Sequence, residues 1–194
     1  ARTACGVQRI ERTRDTVRVW SGEPGTSPET FDHVIIAAHS DQALAMLGDP
    51  SDTERQVLGA MPYQENETVL HTDERLLPRK RRCWAAWNSR LSDDDQRPVA
   101  VTYNMTMLQG LETRSPLCVT LNDTDAIDPA KVLARYSYRH PLYTIDGQRA
   151  RARWSEVSSV ERRTHFCGAY WGNGFHEDGV VSAQRVCDAF GVAL

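Results

Sequence analysis

The sequence predicts an α+β protein in which an antiparallel-sheet segment with helices interrupts an α/β domain that is itself incomplete. Three features lead there. Each end of the chain holds a short apolar strand, Val34-Ile35-Ile36-Ala37-Ala38 and Thr164-His165-Phe166-Cys167, of the kind found inside a parallel sheet. The middle holds a series of short strands separated by polar or proline-containing turns, which favours antiparallel neighbours. A glycine-rich loop then joins the last strand to the last helix.

In chain order, Val7 to Arg12 and Thr16 to Trp20 alternate apolar and polar residues, and the polar link Thr13-Arg14-Asp15 joins them as a β-hairpin. A loop with Gly22, Pro24, Gly25 and Pro28 precedes a strand from Phe31 to His39, whose apolar run reads as buried on both faces. Ser40 or Asp41 caps a helix through Leu47. Ser51-Asp52-Thr53-Glu54 has capping-box spacing and opens a second helix that ends before Pro62. The middle strands are Glu67 to His71, Arg82 to Asn88, Val99 to Met105, Leu117 to Leu121 and Val132 to Arg139, read as a meander with a tight turn at Ser92-Asp93-Asp94-Asp95. Gly147 to about Val160 is helical, and the last helix runs from Val180 to Phe190. The expected segments are 1–39, 40–160 and 161–194, with the first and last belonging to one domain.

The chain has 194 residues, 40% hydrophobic and 25% charged, enough for one sizeable core or for one domain with part of another. A formal net charge of -3 offers nucleic acid no bulk attraction. No apolar run reaches the about 18 residues of a membrane span. The cysteines at 5, 83, 118, 167 and 187 are odd in number, far apart and without a C-x-x-C pair. They read as reduced thiols rather than a disulfide framework or zinc site, in keeping with a cytoplasmic protein. His71 with Asp73, and His140, lack the further ligands that a metal needs, and none is expected. The basic run Arg79-Lys80-Arg81-Arg82 reads as a solvated loop or as a contact for an anionic head group. There is no P-loop and no serine-hydrolase elbow.

The sharpest local pattern runs from Phe166 to Ala183. A strand ends at Gly168, an irregular loop with Gly172 and Gly174 follows, and a helix opens at Gly179. Glycine lets a ligand approach the backbone, and free N–H groups near Gly179 to Val181 would face an anion or an electron-rich carbonyl. The same pattern also serves a plain strand-loop-helix link. His176 with Glu177 and Asp178 reads as an acid–base group or as a helix cap, which Asp178 fits. Trp84, Trp87, Asn88, Tyr103 and Asn104 read as a substrate pocket or as sheet packing, with Trp84 and Asn88 on one strand face and Trp87 on the other.

These segments resemble the flavin-containing amine oxidase superfamily, which also includes protoporphyrinogen oxidases and phytoene desaturases. Phe166-Cys167-Gly168 is similar to its strand ending Phe-Ala-Gly. Gly174-Phe175-His176-Glu177-Asp178-Gly179-Val180-Val181 resembles its aromatic turn and Gly-Ala-Val-like helix start, with one extra residue. Val7, Ile10, Val17 and Val19 resemble its hairpin near the adenine. Phe31 to His39 is similar to its Tyr-Asp-x-Val-Val-x-Ala-x-Pro strand, with His39 where Thr or Pro is usual. Leu70-His71-Thr72-Asp73, Trp84-Ala85-Ala86-Trp87-Asn88 and Val101-Thr102-Tyr103-Asn104, with the Gly174 to Gly179 turn, resemble a bacterial subgroup of NAD/FAD-binding amine-oxidase-like proteins. Order and spacing agree across nearly the whole chain.

The resemblance implies FAD and oxidation by hydride transfer to the flavin. The substrate it implies is an amine, or alternatively an unsaturated acyl or isoprenoid lipid. It implies Val7 on the adenine side, Ala37 and Ala38 along the cofactor cleft, and Gly168 and Ala169 against the pyrophosphate or ribityl chain. His176 would stand beside the flavin. Gly179 and Val180 would offer N–H groups to its N1–C2 carbonyl, where a helix N-terminus stabilises the charge of the reduced ring. Trp84, Trp87, Asn88 and Tyr103 would meet the substrate, and no catalytic residue is assigned. The family's opening strand, G-x-G-x-x-G and helix have no counterpart here, where the only G-x-G is Gly172-Asn173-Gly174. The chain is therefore expected to be the carboxy-terminal portion of a longer protein, binding FAD weakly or not at all alone and inactive by itself. An apolar face is expected where the missing segment would pack, and with it a non-native dimer. A binding module that has kept the fold and lost the flavin is the second class.

Overall fold

The computed structural model describes residues 1–91 and 98–192. They form two compact units, one of residues 1–63 with 141–194 and one of residues 64–140. The boundaries thus differ from 39/40 and 160/161, because the helices on either side of the middle segment pack with the ends of the chain. Their apolar residues Ala43, Leu47, Val57, Leu58, Met61, Ala150 and Val157 share one core with Ile10, Val17, Ile36 and Phe166.

The discontinuous unit opens with the expected hairpin. β1 (Val7–Arg12) and β2 (Val17–Ser21) pair antiparallel, with Arg12 opposite Val17. The Thr13 N–H donates to the Thr16 carbonyl at 2.8 Å to close the turn. β3 (Glu29–Phe31) joins β2 as a third strand. The single strand expected from Phe31 to His39 is therefore two, since β4 (Val34–Ile36) pairs elsewhere. α1 (Ser40–Met46) is preceded by His39 at the cap position, one residue before the expected Ser40. α2 (Asp52–Gly59) has the expected capping box: Ser51 Oγ accepts the Glu54 N–H at 3.2 Å, and Glu54 Oε2 accepts the Ser51 N–H at 2.8 Å. The Glu54 side chain is fully buried and is forked by the Arg12 guanidinium, which ties the hairpin to this helix.

β5 (Tyr63–His71) leads into the second unit, followed by β6 (Trp87–Arg90), β7 (Ala100–Asn104), the short α3 (Met105–Gln109), β8 (Cys118–Leu121) and β9 (Val132–Pro141). The strand order is β6-β7-β8-β5-β9, so the sheet is not the simple meander expected: β5 inserts between β8 and β9. The turn expected at Ser92 to Asp95 lies outside the described residues. One face is buried and polar at its centre. His71 Nε2 and Thr120 Oγ1 are 2.8 Å apart, Thr120 and Thr102 hydroxyls are 2.8 Å apart, and His71 Nδ1 accepts the Asp73 N–H at 3.0 Å. Both nitrogens of His71 are thus used, one by the sheet and one by the turn that follows β5.

Back in the first unit, the helix expected from Gly147 to Val160 is two, α4 (Ile145–Arg151) and α5 (Trp154–Val157). Where the chain re-enters, the Leu142 N–H donates to the Pro62 carbonyl at 2.8 Å. β10 (Thr164–Phe166) then pairs parallel with β4, and α6 (His176–Ala189) closes the unit. Phe166 and Ile36 are buried, but Ile35 is 53% exposed. The expected burial on both faces holds for β10, whose three residues are all buried, and fails at Ile35, because among the described residues the parallel sheet has two strands and β4 is paired on one side only. No helix among the described residues is long and apolar enough to cross a membrane.

Two predictions follow from this packing. Arg12→Met strands a buried carboxylate, so the urea midpoint should drop by an amount equivalent to about 3–5 kcal/mol; a loss under about 1 kcal/mol would show that the pair is unimportant. His165, fully buried beside His33 and Phe190, is held below its ordinary 6.5 by burial, with the neighbouring His33 adding to the shift and Glu161 opposing it. The unfolded chain therefore takes up the proton first, and the stability present above pH 6.5 declines as pH falls below that value. His165→Phe should flatten that decline in a series of urea melts.

Candidate functional site

The parallel pairing of β4 with β10 sets the site. Thr164, His165 and Phe166 stand opposite Val34, Ile35 and Ile36. The Cys167 N–H extends the ladder to the Ile36 carbonyl at 3.1 Å. Ala37 and Ala38, leaving β4, and Gly168 and Ala169, leaving β10, therefore emerge side by side. They do so at the carboxyl end of the strands, where open α/β sheets take up ligands. All four remain at least partly exposed.

Gly168 holds a φ of +151°, and a Cβ there would lie 2.6 Å from the ring of Tyr170, so the turn admits only glycine. Tyr170 is buried beneath it. The loop folds back on Ala169, whose carbonyl accepts the N–H groups of Gly172 at 3.0 Å and Gly174 at 3.1 Å.

α6 starts against this turn. Ser182, only 2% exposed, accepts the Gly168 N–H at 2.8 Å and donates to the Gly179 carbonyl at 2.7 Å. A Cβ on Gly179 would meet the Ala169 nitrogen at 3.9 Å. The turns at Gly168 and Gly179 are therefore adjacent, stitched by one hydroxyl. Ser182 is absent from the residues singled out by sequence; the signal for it is the Gly179-x-x-Ser182 spacing, which puts the two on one helix face.

The helix start itself differs from expectation. α6 begins at His176, four residues before Val180, and the Gly179 N–H donates to the Phe175 carbonyl at 3.3 Å. The N–H groups without an intrahelical acceptor belong to His176, Glu177 and Asp178, and not to Gly179 and Val180. Asp178 is the cause. Its carboxylate accepts the N–H of Asn173 at 3.0 Å and of Phe175 at 2.9 Å, and the chain turns helical around it. Gly172 is pressed against that carboxylate: a Cβ there would come within 2.2 Å of Asp178 Oδ1. With Glu177 and Asp178 in the first turn, the positive end of the helix already has its negative charge. The exposed side chains of this corner are apolar, Phe175 at 57% and Val180 at 50%. The corner suits a flat ring better than an anion. His176 is exposed on the first turn. Val7 opens β1 opposite Ser21, and none of these contacts brings it to the Gly168 turn.

In the second unit the four substrate candidates part company. β6 starts at Trp87, so Trp84 lies before the strand, where its Nε1 donates to the Pro78 carbonyl at 2.8 Å and Arg81 stacks over its ring. Asn88 Oδ1 accepts the Ala85 N–H at 3.2 Å, and its Nδ2 donates to the Ala85 carbonyl at 2.7 Å. Both hold the turn. Asn104 likewise caps α3 through the Met107 N–H at 3.2 Å. Trp87 and Tyr103 share the other face and meet edge to face at 5.7 Å. The register puts Val119 and Leu70 in the same row. Sequence reading missed the Tyr136-Tyr138-His140 row of β9, whose signal is aromatic spacing of two along a strand. The tyrosine rings stack at 5.7 Å, and His140 Nδ1 stands 2.9 Å from Asn66 Nδ2, on the face that also carries Leu70.

No protein-family model matches the sequence, and no curated protein matches it significantly. Solved structures do match. A protein named as a candidate protoporphyrinogen oxidase from Exiguobacterium sp. 255-15 superposes with a TM-score of 0.62 at 11% identity, over 96% of this chain and 46% of its own. A conjugated-linoleic-acid-producing fatty acid isomerase from P. acnes gives 0.60 at 14% identity, over 97% and 48%. A putrescine oxidase bound to putrescine gives 0.58 at 11% identity, over 97% and 49%. The chain spans about half the length of each of these structures. It therefore has the fold of one half of a flavin amine oxidase-like enzyme.

Proposed function

We propose that these residues are the substrate-binding and cofactor-closing half of an FAD-dependent oxidoreductase of the amine oxidase type. The observation that carries the reading is the convergence of Ala37-Ala38, Gly168-Ala169 and Gly179-Val180 at the carboxyl end of a parallel strand pair. The residues fit a flat dinucleotide. The turn at Gly168 bears no side chain, the residues leaving the paired strands beside it are the alanines at 37, 38 and 169, and Gly179 brings no side chain to the Ala169 backbone. On this reading Gly168 and Ala169 hold the pyrophosphate or ribityl chain, and Ala37 and Ala38 line the cleft. Gly179 and Val180 pack against the ring by bare Cα and isopropyl group, with His176 at its margin and Val7 on the adenine side. FAD, when bound, supplies the hydride acceptor. These residues orient it and exclude water.

The G-x-G-x-x-G strand and helix come, on this reading, from residues beyond these 194, so that the chain alone binds FAD weakly and is inactive. The exposed Ile35 side chain and the half-length match support that view. A bacterial cytoplasmic setting goes with it, in line with five free cysteines. For the substrate, the sheet face bearing Leu70, Val101, Tyr103, Val119 and Trp87 is half-exposed and has no carboxylate among its described strand residues. That composition favours an unsaturated acyl or isoprenoid chain over an amine.

The complete protein should show flavin absorption bands that the 194 residues alone lack, and a colourless complete protein would end the proposal. Gly179→Leu improves helix propensity, and its Cβ would meet the Ala169 nitrogen at 3.9 Å, an ordinary contact in the chain's own packing, so it should leave the circular dichroism unchanged while abolishing bound flavin. Ser182→Ala deprives the Gly168 N–H of its acceptor. It should cost about 1–3 kcal/mol in urea melts and lower flavin occupancy; retained stability and full occupancy would show that the hydroxyl stitch is dispensable.

A further inference from the structure

Beyond the cofactor reading, we propose a second binding site, for a small organic anion carrying a flat ring, between α4, the loop after Gly168 and α6. An open depression of about 560 Å³ is lined there by Gln148, Arg151, Trp154, Trp171, Asn173 and Arg185. Its size falls within the range of small-molecule pockets. Neither Gly168, Gly179 nor Ala37 lines it, so it does not coincide with the corner described above, although Gly172 and Asn173 of the intervening loop border it.

The charges carry the inference. The arginines on either side of Arg151 are held by acids, Arg149 by Asp146 and Arg153 by Glu156. Arg185, exposed on α6, has no ion pair or hydrogen-bond partner among the described residues. Arg151 has no carboxylate partner among them either: it donates to the Gly172 carbonyl and lies 5.0 Å over the ring of Tyr143. The nearby Asp178 carboxylate is occupied by the N–H groups of Asn173 and Phe175. Two guanidiniums thus line one cavity with neither in an ion pair among the described residues, and Arg151 is held there by its own contacts. A planar guanidinium fork matches the oxygens of a phosphate or a carboxylate. Gln148 and Asn173 add amide donors.

The indoles supply the other half of the recognition. Trp154 is fixed by its Nε1, which donates to the Phe166 carbonyl at 2.8 Å. Trp171 is buried except for 6% of its surface. Trp154, partly exposed, gives a fixed aromatic surface beside the two cations, and Trp171 adds the small part of its ring that stays open, the combination that takes an anion and a flat ring together.

Calorimetric titration of the protein with AMP, benzoate, inorganic phosphate and uncharged adenosine tests this. At least one of AMP and benzoate should bind with a dissociation constant below about 1 mM, adenosine should not bind, and inorganic phosphate should bind more weakly than AMP. AMP or benzoate alone as the binder identifies the anion as a phosphate or a carboxylate. Arg185→Gln, a change at an exposed side chain, should weaken binding by about tenfold. Gly179→Leu should leave it unchanged, which separates this site from the flavin reading. The proposal is overturned if neither ring-bearing anion binds, if adenosine binds as well as AMP, or if Arg185→Gln binds undiminished.

Discussion

The rest of this structure depends on three residue pairs between β4 and β10, strands separated in the chain by the whole of the second unit. Closing so long a loop costs little more than closing a moderate one, because the entropic penalty grows only with the logarithm of length. Ile36 and Phe166, adjacent across the pair and both buried, help to offset that cost through the core they share with α1 and α2. Once the strands are side by side, their exits cannot be far apart. The turn at Gly168 then follows directly on the last ladder bond, from Cys167 to Ile36, and Ser182 fastens the final helix to the turn.

The final helix illustrates how a charge can define what a surface is for. A helix start with bare amides attracts anions. Here Asp178 turns inward onto the loop's own amides, and Glu177 stands in the same first turn. The terminus is satisfied from within. What remains for an outside partner is a Cα without a side chain and a pair of exposed valines, Val180 and Val181. That surface can lie flat on a ring and contributes little pull on a phosphate.

Local chemistry was legible in the sequence, and non-local chemistry was not. The hairpin at Thr13 to Thr16 and the capping box at Ser51 and Glu54 are set within a few residues, and each forms as its spacing demands. The glycine demand at Gly168 was legible too, although its steric cause, the ring of Tyr170, was not. The early start of α6 escaped notice because its cap acts backwards across a glycine loop onto Asn173. The insertion of β5 between β8 and β9 is a matter of pairing between distant segments, which no periodicity encodes. Trp84 and Asn88 look like ligand contacts by residue type; only their bonds to Pro78 and Ala85 show that they hold a turn.

The hydrogen bond from Leu142 to Pro62 has a consequence for how such a protein can diversify. It clamps the two chain crossings at the base of the 64–140 unit, and the entry and exit strands β5 and β9 are themselves neighbours in one sheet. The host unit therefore registers the inserted one as little more than a closed loop of fixed gauge. Doubling the insert's length would cost the host only about 0.6 kcal/mol. A lineage could exchange one inserted sheet for another, with different strand lengths and linings, while the host unit stayed as it is.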